Sequence, residues 1–101
     1  MLDISVDFTR YPAGRYRTDG KYSGERFREE LLLPALRLAK LVEIKLDGTA
    51  GYGSSFLEEV FGGLARSGEF STEELLNAIK LESKDSSLID EIFEYITATY
   101  H

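Results

Sequence analysis

"DGTAGYGSSFLEEVFGGLARSG" (residues 47–68) is the stretch on which the reading of this chain turns. It holds six of the nine glycines and a pair of adjacent serines, and it passes from a glycine loop into an apolar helical pattern. Phe56, Leu57, Val60, Phe61 and Leu64 recur at helical spacing and form one apolar stripe. Gly68 is placed to stop that helix, because glycine tolerates the left-handed backbone of a helix C-terminus. Just upstream, "LVEIKLD" (41–47) alternates, with Val42, Ile44 and Leu46 on one face, which predicts a strand. Between strand and helix the backbone must turn sharply, and glycine supplies positive φ without a Cβ clash. Ser54 or Ser55 is then expected to cap the helix, with Ser55 and Glu58 at capping-box spacing.

Working outward, "LDISVDF" (2–8) alternates strictly and predicts a half-buried strand with Leu2, Ile4, Val6 and Phe8 inward. Residues 9–24 contain Pro12, Gly14, Gly20 and Gly24 and read as a loop or turned ribbon; Arg15–Arg17 is a candidate short strand and Asp19-Gly20 a turn. "SGERFREELLLPALRLAK" (23–40) predicts a helix capped by Ser23, with Phe27, Leu31, Ala35 and Leu38 on one face. Pro34 lacks the N–H that would bond to Glu30, so a kink or break is expected there. "STEELLNAI" (71–79) opens with a Ser71–Glu74 capping box. "IKLES" (79–83) predicts a short third strand. Residues 85–100 predict a last helix, with Leu88, Ile89, Ile92, Phe93 and Ile96 on its stripe. Strands alternating with helices give an α/β (α+β) fold: one domain over 1–101, with a small mixed sheet of three or four strands covered by about four helices.

The bulk composition narrows the function. A chain of 101 residues, 43% hydrophobic and 12% aromatic, has enough apolar content for a folded core. There is no cysteine, hence no disulfide framework and no thiolate chemistry. No run approaches the roughly 18 apolar residues of a membrane span. The N-terminus lacks the apolar core of a signal peptide, so the expected setting is soluble and cytoplasmic. His101, the single histidine, is the last residue and reads as a tail, so no Ser–His, Cys–His or His-x-x-x-His arrangement is available. Asp47 and the Glu58-Glu59 pair are read as solvated charges, since adjacent helix positions do not face each other. No enzyme, metal site or cofactor is expected.

Charge is uneven. Residues 1–42 hold eight Lys/Arg against six Asp/Glu, whereas 43–101 hold four against twelve, within a net charge of −6. The acidic half disfavours a polyanionic partner such as nucleic acid. The basic excess lies in "RYPAGRYRTDGKYSGERFR" (10–28), where Tyr11, Tyr16 and Tyr22 alternate with Arg10, Arg15, Arg17, Lys21, Arg26 and Arg28. Arg and Tyr are the residue types of binding hot spots, and they also suit single-stranded nucleic acid. The favoured reading pairs these arginines with the carboxylates of the C-terminal half and lays the tyrosines over the sheet edge. A small nucleic-acid or nucleotide-binding regulator is the alternative.

"GTAGYGSS" (48–55) matches neither phosphate-binding glycine pattern. The P-loop requires Gly-Lys-Ser/Thr, and Ser54 follows Gly53 directly; the spacing Gly48-x-x-Gly51-x-Gly53 is not that of a dinucleotide loop. A strand "VEIKLD" followed by "GSSFLEEVFGGL" instead resembles the core of STAS domains, the fold of anti-sigma-factor antagonists. In those proteins the first of two adjacent serines is phosphorylated by a partner kinase. Ser54 matches that serine and Ser55 the next. Gly53 departs from the preceding Asp and Phe56 from the following Gly. "GRYRTDGKYSGERFREELLLPAL" together with "LDGTAGYGSSFLEEVFGGL" is more closely similar to the bacterial and phage STAS-like family, over about Phe8 to Tyr95. The resemblance implies a non-enzymatic protein-interaction domain with a kinase-like ATPase or anti-sigma-type regulator as partner. It implies Ser54 and Ser55 as phosphorylation candidates. The implied docking residues are Gly51, Tyr52, Gly53, Ser54 and Glu58, with Arg15, Tyr16 and Arg17 from the ribbon.

Overall fold

The computed structural model describes residues 1–98. His101 and the end of the predicted last helix lie outside the described residues. Three strands, β1 (Leu2–Asp3), β2 (Val42–Lys45) and β3 (Ile79–Glu82), form one sheet in the order β1-β2-β3. Both pairings are parallel, with Leu2 opposite Ile44 and Val42 opposite Ile79. The expected mixed sheet is therefore parallel throughout, because each strand is joined to the next by a helical crossover rather than a hairpin.

The helices form four rods. The first joins α1 (Gly24–Phe27) and α2 (Leu33–Leu38) through a π turn at Arg28–Leu32. The second joins α3 (Ser54–Leu57) and α4 (Gly63–Ser67) through a π turn at Glu58–Gly62. The others are α5 (Thr72–Ala78) and α6 (Ser86–Thr97). No described helix is long and apolar enough to cross a membrane. Val42, Ile44, Leu46 and Ile79 face the helices and are buried, whereas Lys45, Lys80 and Glu82 alternate onto the exposed face. The predicted stripe of the second rod is the centre of the core: Phe56, Leu57, Val60, Phe61 and Leu64 are all at most 1% exposed.

Caps behave as the sequence predicts at three ends. The Ser23 hydroxyl accepts from the Arg26 N–H, Ser71 and Glu74 form a reciprocal capping box, and Gly68 ends α4 at φ 72°.

The first predicted strand is cut short. After Asp3 the chain closes a π turn over Ile4–Phe8, with the Thr9 N–H donating to the Ile4 carbonyl. Asp3 accepts from the Ser5 N–H and hydroxyl, and Asp7 accepts from the Asp3 N–H. The polar residues that alternation assigns to an outer strand face instead bond to nearby backbone and pull the chain into a turn. Val6, expected inward, is 77% exposed. The ribbon likewise carries a 3₁₀ turn at Arg17–Asp19 rather than a short strand, because the Asp19 carboxylate accepts from the Tyr16 N–H.

Pro34 does not break the first rod, which stays helical across it. It follows the π turn, in which the Leu33 N–H reaches back to the Arg28 carbonyl; the wider turn makes room for the proline ring. The π turn also adds one residue to the helical register, which rotates the buried face. Leu32, Leu33 and Leu36 are buried, the predicted Leu31 and Ala35 pack half-buried against the core beside them, and Leu38 is 88% exposed.

Candidate functional site

β2 leads at its carboxyl end into the glycine loop. The loop is fastened at several points. The Asp47 carboxylate accepts from the Ser83 hydroxyl (2.9 Å) and the Lys84 N–H (3.0 Å). The Ala50 N–H donates to the Arg10 carbonyl at 2.8 Å. The Tyr52 hydroxyl donates to the Leu46 carbonyl at 2.6 Å, and burial pushes the Tyr52 phenol up to about 12. Gly48 and Gly51 adopt φ of 98° and 132°, as a tight reversal requires, and a Cβ on Gly48 would stand 2.7 Å from the Ser5 hydroxyl oxygen.

The N-cap of α3 is Gly53, at φ −75° and ψ 149°, with no side-chain capping bond. The expected Ser54 or Ser55 cap, and the Ser55–Glu58 capping box, are therefore not formed. Gly occupies the cap position, so Ser54 falls one residue later, where a hydroxyl no longer faces the free N–H groups. Ser54 and Ser55 are both exposed, as are Gly51 and Gly53; Tyr52 is half-buried.

Glu58 and Glu59 are not solvated charges. Glu59 is 5% exposed and accepts from Arg28, whose Nη1 lies 2.5 Å from a Glu59 carboxylate oxygen and 2.6 Å from the Glu59 carbonyl. Arg15 and Arg66 approach the other Glu59 oxygen at 3.5 and 3.8 Å. Glu58 pairs with both Arg15 and Arg66. The two π turns thus face each other across a largely buried clamp, one contributing Arg28 and the other the glutamates. Hydrogen bonding to Glu58 raises the already high Arg15 pKa further. The clamp has space because of glycine: a Cβ on Gly62 or Gly63 would overlap the Glu58 carboxylate or the Arg28 guanidinium. A Cβ on Gly24 would stand 2.6 Å from the Phe56 carbonyl, so that glycine lets the two rods touch.

The ion pair between Arg15 and Glu58 joins the ribbon to the second rod, bringing together two segments that the sequence singled out separately. Arg17 turns elsewhere, to Glu29 (2.9 Å) and Glu30 (2.6 Å) on the first rod. Arg26 meets Glu30 and stacks over Phe8 and Tyr22, whose rings pack edge to face at 5.5 Å. Tyr11 and Tyr16 are 70% and 49% exposed and cover no sheet edge. Arg28, Arg66, Gly62 and Gly63 were not among the predicted site residues. Their signal is Glu-Glu-x-x-Gly-Gly-x-x-Arg, in which a glycine one turn after each glutamate leaves a notch on the helix surface and an arginine follows a turn later.

A family model described as STAS-like domain of unknown function (DUF4325) matches residues 23–88, about two-thirds of the chain. The chain belongs to that family. Searches of curated proteins and of solved structures find no match.

Proposed function

We propose that this STAS-like domain is a non-enzymatic regulatory module of the cytoplasm. In this reading it docks a protein partner through loop 48–55 and the opening turn of α3, and a phosphate on Ser54 switches the docking. The observation that carries the reading is the state of the serines: Ser54 and Ser55 are exposed on a loop fastened at both ends, with neither hydroxyl used in capping. A phosphate there adds about two negative charges to an exposed face and repels an acidic or closely packed partner. The resemblance to anti-sigma-factor antagonists supports a kinase-like ATPase or anti-sigma-type regulator as the partner. Tyr52 acts in this scheme by holding the loop, and Arg15 with Glu58 by tying the ribbon to the docking helix.

Nucleic-acid binding draws less support. Of the six cations in the ribbon, Arg15, Arg17, Arg26 and Arg28 are engaged with carboxylates of the same chain. The deciding experiment is affinity capture from cells with the wild-type chain, Ser54→Ala and Ser54→Asp, with mass spectrometry of the retained proteins and of the bait. A partner held by wild type and Ser54→Ala and lost with Ser54→Asp is expected. Equal capture by all three removes the switch.

A further inference from the structure

We propose that β3 is the contact strand of a homodimer: its outer edge pairs antiparallel with β3 of a second copy, with Leu81 opposite Leu81. This contact uses none of the residues of loop 48–55 and stands apart from the docking reading above. In the order β1-β2-β3, β3 has β2 on one side and, among the described residues, no strand on the other. Alternate residues of a strand turn their backbone groups to opposite neighbours. The Leu46 N–H donates to the Glu82 carbonyl at 2.9 Å, and the parallel register sets Lys45 opposite Glu82. Glu82, and Lys80 two residues before it, therefore turn their backbone groups to β2, whereas Ile79 and Leu81 turn theirs to the open edge. The Ile79 N–H is spent on the Leu75 carbonyl at the end of α5. No described group outside the sheet bonds to the Leu81 N–H or carbonyl, and these are the two groups that an antiparallel hydrogen-bonded pair exchanges. Leu81 is only half-buried although it shares the helix-covered face with Ile79, so apolar surface stays open at this edge.

Charge fixes both the register and the occupant. On the face away from the helices, rows across the sheet alternate in sign: Asp3, Lys45 and Glu82 stand side by side, as do Glu43 and Lys80. Lys45 reaches Asp3 at 4.0 Å within the first row, and Glu82 and Lys80, at the ends of the two rows, are exposed. Centring the pairing on Leu81 sets Lys80 opposite Glu82 of the second copy, and Glu82 opposite its Lys80. Each row then runs on into the second copy with its alternation unbroken. These are non-hydrogen-bonded positions, where opposed side chains come closest and opposite charges attract most. Sliding the strands by two residues sets Lys80 against Lys80 or Glu82 against Glu82, and like charges directly opposite destabilise a pair. Sliding by one sets Lys80 against Leu81 and mismatches the two faces. A lone lysine on an edge strand guards against such pairing. Here Glu82 on the same face makes Ile-Lys-Leu-Glu complementary to itself, so a second copy of this chain supplies the match by two-fold symmetry.

The test is sedimentation velocity of the full chain from about 1 μM to about 1 mM, with circular dichroism of each variant. Wild type is compared with Lys80→Glu, Glu82→Lys and Lys40→Glu. Lys40 is exposed and off the sheet, and its variant changes the net charge as Lys80→Glu does. Wild type and Lys40→Glu should pass from monomer to dimer as concentration rises. Lys80→Glu sets acid against acid and Glu82→Lys base against base, so each alone should associate about tenfold more weakly or less. An equimolar mixture of those two variants restores opposite charges at both positions and should recover the dimer. Hydrogen exchange of wild type gives a readout that needs no variant. The Leu81 amide, free in the monomer, should exchange about tenfold more slowly or less at the highest concentration than at the lowest. If a charge variant loses the wild-type spectrum, this exchange decides alone. A wild type that stays monomeric throughout overturns the inference. So do charge variants that dimerise as wild type does, a mixture of folded variants that stays monomeric, or Leu81 exchange that is independent of concentration.

Discussion

Replacing Arg28 by Met separates a buried clamp from ordinary surface ion pairing. The Arg28 and Glu59 side chains are 13% and 7% exposed, and Arg28 also bonds to the Glu59 carbonyl. Arg28→Met leaves Glu59 buried, with Arg15 and Arg66 at 3.5 and 3.8 Å as its remaining cations. Stranding one partner of a buried pair costs about 3–5 kcal/mol, and the remaining arginines place this case near the lower end, at about 3 kcal/mol. For a domain of this size that corresponds to a fall in Tm of roughly 12–24 °C. Changing both partners, Arg28→Met with Glu59→Met, removes the stranded charge together with its desolvation cost. The double variant is expected within about 1 kcal/mol of wild type. Urea unfolding followed by far-UV circular dichroism, at one pH and salt concentration, gives all four corners of the cycle. An Arg28→Met cost below about 1 kcal/mol, the range of exposed pairs, refutes the buried clamp. So does a double variant whose loss equals the sum of the two single losses.

Gly24→Ala should destabilise by about 1–3 kcal/mol, because its Cβ would meet the Phe56 carbonyl, a backbone atom that cannot move aside. Gly53→Ala is its control: it has open space and an ordinary φ of −75°, so it meets no clash and should cost no more than about 1 kcal/mol, the preference for Gly over Ala at an N-cap. Tyr52→Phe should change the alkaline limb. The folded Tyr52 phenol at about 12 lies above its ordinary value near 10, so the stability it confers is complete below pH 10 and is lost as pH rises from about 10 to 12. The variant should be weaker at neutral pH, through loss of the bond to Leu46, and should lose less between those limits in a Tm–pH series. Ser71→Ala should cost about 1 kcal/mol through its capping box, while Ser54→Ala should leave the unfolding midpoint unchanged. A cost at Ser54 equal to that at Ser71 would mean that the hydroxyl does cap α3.

What was legible in the sequence was whatever a single local pattern determines. The α3–α4 stripe, the β2 alternation, the Ser71 box and the Gly68 stop each follow from a few neighbouring residues, and each is found. Three features needed more than periodicity. Residues 2–8 satisfy a strand pattern, yet the same Asp and Ser residues that mark its outer face can bond their own backbone, and no β2 residues remain to pair with once that strand becomes the glycine loop. The first rod's inner face depends on one extra residue in a π turn before Pro34, which no count of apolar positions reveals. The buried clamp was hidden because adjacent glutamates on a helix ordinarily point to solvent. Here the paired glycines one turn later open a notch, and arginines from two distant segments fill it.

That clamp bears directly on the proposed docking loop. A serine at a helix start is usually spent on satisfying the first N–H groups, so modifying it also costs helix stability. Here Gly53 takes the cap position, and the second rod is held from its middle by Arg28, Arg15 and the Gly62-Gly63 notch, while Phe56 and Phe61 anchor it in the core. The loop ahead of it is held separately, by Tyr52 on Leu46 and by Asp47 on Ser83. Neither set of contacts uses Ser54. The hydroxyl can therefore gain or lose charge without unfolding the element that presents it, which is what a switch acting on binding rather than on stability demands. Ser54→Asp should accordingly retain the wild-type unfolding midpoint while altering capture of the partner, and a midpoint that falls in step with capture would place the effect in the fold instead.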